Sequence, residues 1–164
     1  MRCGAAVSRF KRSMHPLQPE FANARRTLAD HLGAQVARYL VERMAARELE
    51  SGQTLVRQHA AADALYFVLG GRLGVYVGEP ESRVAVIEPG SWVGEVSFVD
   101  PGPASATVRA EQATLLLEMR NRDIDLLTDD APHVAAALLS RLCRELAERV
   151  SSSGAPPPPP DAAT

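Results

Sequence analysis

The sequence contains few of the residues on which several classes of protein depend. Its two cysteines, Cys3 and Cys143, are too few and too far apart for a disulfide framework or a metal cluster. The four histidines are scattered, and none has the His-x-His spacing of a metal-binding jelly roll. There is also no Ser/His/Asp set and no nucleophile elbow. We therefore expect a non-enzymatic protein without a metal, in a reducing, cytoplasmic setting.

Strong net charge and long apolar runs are absent too. The formal net charge is -2, so no strong overall field attracts nucleic acid or an anionic membrane. Tyr66, Tyr76 and Trp92 do not alternate with basic residues, which argues against a nucleic-acid surface. No apolar run is long enough to span a membrane. We expect neither a nucleic acid as partner nor a membrane span.

The length of 164 residues fits one domain with appendages. Residues 1–18 mix basic residues, glycine and proline without periodicity, which indicates a flexible basic arm. Residues 19–150 carry regular apolar patterns and form the predicted domain. Residues 151–164 contain a run of five prolines and are predicted to be a disordered, Pro-rich tail.

Apolar residues have helical spacing at both ends of the domain. In the region between, they alternate with a period of two. The spacing between Phe21 and Ala46 predicts helices, which Gly33 divides into two. The central region has short strands separated by turn signals, which is typical of a sandwich, barrel or jelly roll. The predicted strands are residues 54–58, 65–69, 72–77, 83–87, 105–111 and 114–120.

Two helices are predicted after the last strand. Asn121 is placed to cap a short helix that ends at Leu127, and Pro132 suits the first turn of a longer one. Cys143 lies beside the apolar stripe of the longer helix and is expected to pack. That stripe comprises Ala135, Leu138, Leu142, Leu146 and Val150. The predicted i,i+4 ion pairs on the polar side are Arg141/Glu145, Arg144/Glu148 and Glu145/Arg149.

Residues 93–110, here called the cassette, read VGEVSFVDPGPASATVRA and combine several features of an anion-binding segment. Gly94 lets the backbone come close to a ligand, and Glu95 offers a carboxylate that can accept a hydroxyl. Residues 96–99 are predicted to form a short helix, which Asp100-Pro101-Gly102 ends. Backbone N–H groups at a helix start can hold a phosphate.

The cassette resembles the phosphate-binding cassette of cyclic-nucleotide-binding domains. Gly94-Glu95 followed by Pro103-x-x-Ala106-Thr107-Val108 has a spacing more similar to that of kinase regulatory subunits than to the catabolite activator type. Residues 49–58 and 63–73 are also similar to the first strands of this family. The resemblance covers roughly residues 35–150. It implies a mainly β fold, an antiparallel jelly roll with N-terminal helices and a C-terminal lid helix.

The resemblance also implies a ligand and the residues that contact it. The effector would be cAMP or cGMP, with Glu95 as the acceptor for the ribose 2'-hydroxyl. An equally weighted interpretation has Glu95 accepting only nearby backbone N–H groups. Unless a nucleotide binds, Ser105 and Thr107 are expected to be ordinary strand residues. The predicted ligand-binding residues are Gly94, Glu95, Val96, Ser97, Ala104, Ser105, Ala106 and Thr107.

Two residues depart from the family pattern. Ala104 stands where the family has its phosphate-binding arginine, and losing that charged contact should weaken binding by about ten- to several-thousand-fold. Arg109 is on the opposite strand face from Ala104, and Arg72 or Arg83 would reach the site only with an unusual strand arrangement. His59 occupies a position where the family often has glycine, which puts the usual tight turn in doubt.

Two functions of different classes follow from these observations. The first is a regulatory module that senses cAMP or cGMP weakly and moves its C-terminal helix, Val134–Val150, to signal to a partner. The alternative is a degenerate, non-binding domain that acts as a protein-interaction or dimerisation scaffold, which Ala104 favours. Residues 134–150 are also the candidate homodimer contact.

Overall fold

The computed structural model describes residues 19–153, so the predicted arm and residues 154–164 of the predicted tail lie outside the described part. The chain begins with helix α1 (Pro19–Leu32) and helix α2 (Ala34–Arg43). Gly33 separates them with a φ of 84°, a backbone conformation that glycine adopts readily. The predicted break between two N-terminal helices is confirmed.

The strands form two antiparallel four-stranded sheets and a two-stranded ribbon. The first sheet has the order β1 (Ala45–Leu49), β10 (Thr114–Arg120), β4 (Ala64–Gly70) and β7 (Trp92–Val93). The second has the order β2 (Thr54–Val56), β9 (Thr107–Ala110), β5 (Leu73–Val77) and β6 (Ser82–Ile87). The ribbon pairs β3 (Ala61–Ala62) with β8 (Gly102–Pro103). This arrangement is the predicted jelly roll with flanking helices.

Strand boundaries differ from the prediction where long-range pairing decides them. Residues 45 and 46 were expected in a helix, but they begin β1, whose pairing with β10 sets Ala45 opposite Glu118. The predicted strand 54–58 ends at Val56, and the strand expected from residue 105 starts at Thr107. β7 was not predicted, because two residues are too few to display a period.

Strand β4 separates two apolar cores because its side chains alternate between the faces of the sheet. Leu65 and Phe67 pack with the helices, in a core that also contains Trp92. Tyr66 and Val68 face the other sheet and pack between the two sheets. All of these side chains are buried. The unbroken apolar run in β4 is therefore explained by burial on both faces.

Two helices close the described chain, α4 (Asn121–Asp130) and α5 (Pro132–Ser153). Asn121 is the first helical residue and not the predicted cap, since Arg120 takes that position and donates its backbone N–H to the Asp123 carboxylate at 3.1 Å. α5 continues to Ser153, into the segment predicted as the tail.

The apolar stripe of α5 is buried only in part. Ala135, Leu138 and Leu142 are buried, but Val150 is 72% exposed. Cys143, which was expected to pack, is a free and exposed thiol, because it lies one residue beyond the buried position Leu142. None of the helices within residues 19–153 is long and apolar enough to cross a membrane.

Candidate functional site

The cassette opens with a sharp turn at Gly94. This residue has a φ of 87° and directly precedes helix α3 (Glu95–Val99), which confirms the predicted short helix with a start one residue earlier. A Cβ atom at position 94 would lie 2.5 Å from the carbonyl oxygen of Ala64. Glycine is therefore required here both for its conformation and for the close approach of β4.

Helix α3 is held between the sheet and the C-terminal helices. Phe98 is buried in the core that contains Leu138 and Leu142 of α5. The side-chain amide of Asn121 donates a hydrogen bond of 3.1 Å to the carbonyl oxygen of Ser97. The backbone N–H of the same Asn121 donates to the carbonyl oxygen of Asp63 at 2.8 Å. The start of α4 thus connects the cassette helix to the segment that precedes β4.

Glu95 is a buried carboxylate with a charged partner on α5. Its side chain is 2% exposed and forms an ion pair with the guanidinium of Arg149, whose own side chain is 56% exposed. Burial raises the pKa of Glu95 above its ordinary value. A hydrogen bond from its own backbone N–H and the charge of Arg149 act in the opposite direction, whereas Glu145 adds to the rise. The carboxylate predicted to accept a ribose hydroxyl is therefore occupied by an arginine of the terminal helix.

Ala104 is buried beside the turn that contains His59. Its backbone N–H donates to Ala60 at 2.8 Å, and its carbonyl oxygen accepts the N–H of His59 at 2.8 Å. His59 has a φ of 66°, so it keeps the left-handed conformation that glycine would adopt more easily. The turn that was in doubt is formed despite the histidine side chain.

The three arginines considered as substitutes for a residue at position 104 are all paired elsewhere. Each contacts a carboxylate outside residues 94–107, so none of these three ion pairs brings a cation to Ala104 or Glu95. The pairs are Arg72–Glu88 at 3.2 Å, Arg83–Glu111 at 3.0 Å and Arg109–Glu81 at 2.7 Å.

The predicted ligand-binding residues differ in their exposure. Glu95, Ser97, Ala104 and Thr107 are buried, whereas Val96 is 55% exposed and Ser105 is also exposed. The Thr107 hydroxyl accepts the backbone N–H of Gln58 at 3.0 Å, so it already has a structural role. Gly94 and Ala106 are half-buried.

Two cavities lie near the neighbouring strand β2, and none of the eight predicted residues lines either of them. The first has a volume of about 240 Å³ and is lined by residues that include Arg57, Asp63 and Tyr66. The second, of about 580 Å³, shares Arg57 and extends to Arg47. Within residues 19–153, no group of three or more His, Cys, Asp or Glu side chains is arranged to hold a metal ion.

Arg149 is the site residue that sequence reasoning missed. Its spacing predicted a pair with Glu145 along the helix, and this local pattern gave no indication of a contact with the cassette. Only the packing of α5 against α3 brings Arg149 to Glu95.

Comparisons with known proteins give a consistent result. The family model described as the cyclic nucleotide-binding domain matches residues 46–130. A cyclic nucleotide-gated potassium channel from Mesorhizobium japonicum is 29% identical over 108 residues, which are 66% of this chain and 29% of the channel. The cyclic AMP receptor protein of Thermus thermophilus is 35% identical over 100 residues, which are 57% of this chain and 46% of that protein.

A solved structure is also similar over most of its length. The N-terminal domain of a transcriptional regulator from Streptomyces coelicolor has a TM-score of 0.66 and 30% identity, and the match covers 81% of this chain and 95% of that domain. By contrast, the chain spans less than half the length of the two curated relatives above, which are matched over 29% and 46% of their lengths.

Proposed function

Because this chain belongs to the cyclic nucleotide-binding domain family, we propose that it is a regulatory module that senses cAMP or cGMP with low affinity. The observation that carries the proposal is the ion pair between Glu95 of the cassette and Arg149 of α5. It couples the candidate ligand site directly to the terminal helix. The module would act in a reducing, cytoplasmic setting, which is the default for a chain with two widely separated cysteines.

In the proposed mechanism, a nucleotide enters beside α3 and its ribose 2'-hydroxyl donates to the Glu95 carboxylate. The backbone near Gly94 and residues 104–107 lies against the cyclic phosphate. Because Glu95 contacts Arg149, a ligand at Glu95 changes the contacts of the last turns of α5. A ligand that interacts differently with two positions of this helix shifts the population between them, and a partner protein can respond to that shift.

The low affinity follows from Ala104. A methyl group cannot replace a charged hydrogen bond to phosphate, whose loss costs about 1.5–3 kcal/mol. Glu95 moreover has a partner in the absence of ligand, so binding must rearrange an existing contact.

A second function is favoured by the same buried alanine. A domain without a cation at position 104 can keep the jelly roll as a protein-interaction or dimerisation scaffold. In that case the Glu95–Arg149 pair is a permanent structural contact. The candidate interface is α5 over residues 134–150, where Val150 is 72% exposed.

Calorimetric titration with cAMP and with cGMP, up to millimolar ligand, tests the proposed function. We expect saturable heat and a rise in melting temperature, because a ligand that binds only the native state stabilises it. Linear 5'-AMP, which lacks the cyclic phosphate, serves as the control ligand. If millimolar cAMP and cGMP produce neither heat nor a thermal shift, the proposed sensing function is wrong and the scaffold function is favoured.

A further inference from the structure

The part of the cassette from Gly94 to Thr107 has anionic side chains but no cationic one. Residues 94–107 contain Glu95 and Asp100, and they include no arginine, lysine or histidine. Glu95 is almost fully buried, so its charge is poorly screened by water. A nucleotide phosphate placed near this carboxylate would add a second negative charge to the same site.

A positive charge reaches this site from another element. Arg149 of α5 contacts Glu95 directly, while Phe98 of α3 is packed in the same core as Leu138 and Leu142 of α5. The guanidinium and the buried carboxylate are thus held together by the packing of two helices. The side chain of Arg149 is 56% exposed, so it extends from Glu95 towards the protein surface, where a ligand can approach.

We propose that Arg149 is the phosphate-binding cation of this site and supplies from α5 the charge that position 104 lacks. This inference rests on the proposed function and names the residue through which it works. The ligand it recognises is an anion with a neighbouring hydroxyl, as a cyclic nucleotide presents with its phosphate and ribose. Glu95 accepts the hydroxyl and orients Arg149, and Arg149 binds the phosphate.

The chemistry of arginine suits this double role. A guanidinium carries five N–H donors in a planar fork, so one side chain can contact a carboxylate and a phosphate at once. Its hydrogen bonds to both anions are charge-assisted and therefore stronger than neutral ones. With Arg149 in place, the Glu95 carboxylate and the phosphate share a cation, which offsets their mutual repulsion.

Ligand binding would also depend on the position of α5. In this chain the cation does not belong to the cassette but to the last turns of the terminal helix. The phosphate has this cation only when α5 lies against α3. Ligand binding would therefore favour that position of the helix over any position that removes Arg149 from the site.

The test measures affinity for cAMP in three variants of the full chain. Arg149→Gln should weaken binding by about tenfold or more, since a charged hydrogen bond is lost. Arg149→Lys keeps the charge without the fork and should lie between wild type and glutamine. Arg144→Gln is the matched control, because it removes an exposed arginine of the same helix, and it should leave affinity unchanged.

Three further arms separate phosphate binding from a general structural effect. Adenosine has no phosphate, so its affinity should be the same in wild type and Arg149→Gln. Ala104→Arg added to Arg149→Gln should restore cAMP affinity, because it supplies a cation within the cassette. The third arm avoids leaving the Glu95 carboxylate buried without a partner. It compares Glu95→Gln with the double variant Glu95→Gln/Arg149→Gln, and the double variant should have the lower affinity for cAMP.

The outcomes distinguish the inference from the function on which it rests. If wild type binds cAMP and Arg149→Gln binds it equally well or more tightly, Arg149 does not bind the phosphate or competes with the ligand for Glu95. The phosphate-binding role of Arg149 is then overturned, while the proposed sensing function is retained. If neither wild type nor Ala104→Arg binds cAMP, the sensing function itself fails, and the inference fails with it.

Discussion

Gly94 and Ala64 approach each other so closely that a Cβ atom at position 94 would lie 2.5 Å from the Ala64 carbonyl oxygen. Gly52 is a natural comparison, since its φ of 86° matches the 87° of Gly94 but nothing lies within 4 Å of its Cβ position. The two glycines therefore separate the cost of backbone conformation from the cost of a clash.

We predict that Gly94→Ala lowers the free energy of unfolding by about 1–3 kcal/mol more than Gly52→Ala does. Both variants place a side chain in the left-handed region, at about 1–2 kcal/mol. Only the first also forces β4 away from the cassette, which is a form of overpacking. Urea titration of both variants measures the difference. Equal losses would mean that the backbone at Gly94 moves aside without cost.

Restoring an arginine at position 104 should strengthen ligand binding. We predict that Ala104→Arg raises affinity for cAMP by at least about tenfold, from the added charge-assisted hydrogen bond. Val84→Arg adds the same charge at an exposed position of β6, outside the cassette, and should have little effect. Calorimetry on both variants checks this. No gain in Ala104→Arg would mean that the pocket is closed or misaligned for another reason.

The buried carboxyl of Glu95 predicts a pH dependence of stability. Burial raises its pKa above the ordinary 4.5, so the folded chain holds this proton more tightly than the unfolded chain does. The stabilisation from this protonated carboxyl is fully present below the pKa of Glu95 in the unfolded chain. It is lost as the pH rises through the pKa of Glu95 in the folded chain. We predict that the unfolding free energy of wild type, relative to Glu95→Gln, falls across that window. Denaturant titrations at several pH values measure it.

Glu111 provides a control of opposite sign. Hydrogen bonds from Arg83 and then from Tyr76 lower the pKa of Glu111. Its contribution is therefore present above the ordinary carboxyl pKa and is lost as the pH falls through the folded value. Relative to Glu111→Gln, wild type should become less stable in acid. The unfolding free energy relative to Glu95→Gln should change with pH in the opposite direction to that relative to Glu111→Gln. The same direction for both would contradict the raised pKa assigned to Glu95.

Replacing His59 by glycine should stabilise the fold. His59 has a φ of 66°, and a residue with a Cβ atom pays about 1–2 kcal/mol for that conformation. Glycine loses more backbone entropy on folding, so we predict a net gain of about 0.5–1 kcal/mol for His59→Gly. His59→Ala keeps the Cβ atom and should gain nothing. Thermal unfolding of both variants gives the comparison, and a gain in His59→Ala would point to the imidazole instead.

Features set by local sequence were predicted well. Gly33 separates two helices, the Gly94-Glu95 pair precedes a short helix, and Pro132 opens the long one, because each signal lies within a few residues of its effect. The alternation within β4 was hidden, since both faces of this strand are buried and all its residues look apolar.

Features set by distant contacts were not predictable in this way. The sequence of β1 is Ala-Ala-Arg-Glu-Leu, which favours a helix, and only its pairing with β10 makes it a strand. The contact of Arg149 with Glu95 is of the same kind. Helical spacing assigned Arg149 to a neighbour on its own helix, whereas the fold brings it to a residue in another part of the chain. The cassette therefore predicted Glu95 as a candidate site residue, but it gave no indication of the charged partner that the fold brings to it.

The two hydrogen bonds of Asn121 have a mechanical consequence. Its side chain donates to Ser97 of α3 and its backbone donates to Asp63 before β4, while the residue itself begins α4. A displacement of α3 by one or two ångströms must either break the bond to Ser97 or carry the start of α4 along. Since α4 is followed directly by α5 after Ala131, a displacement of α3 that keeps the bond to Ser97 would reach the terminal helix by this second route as well.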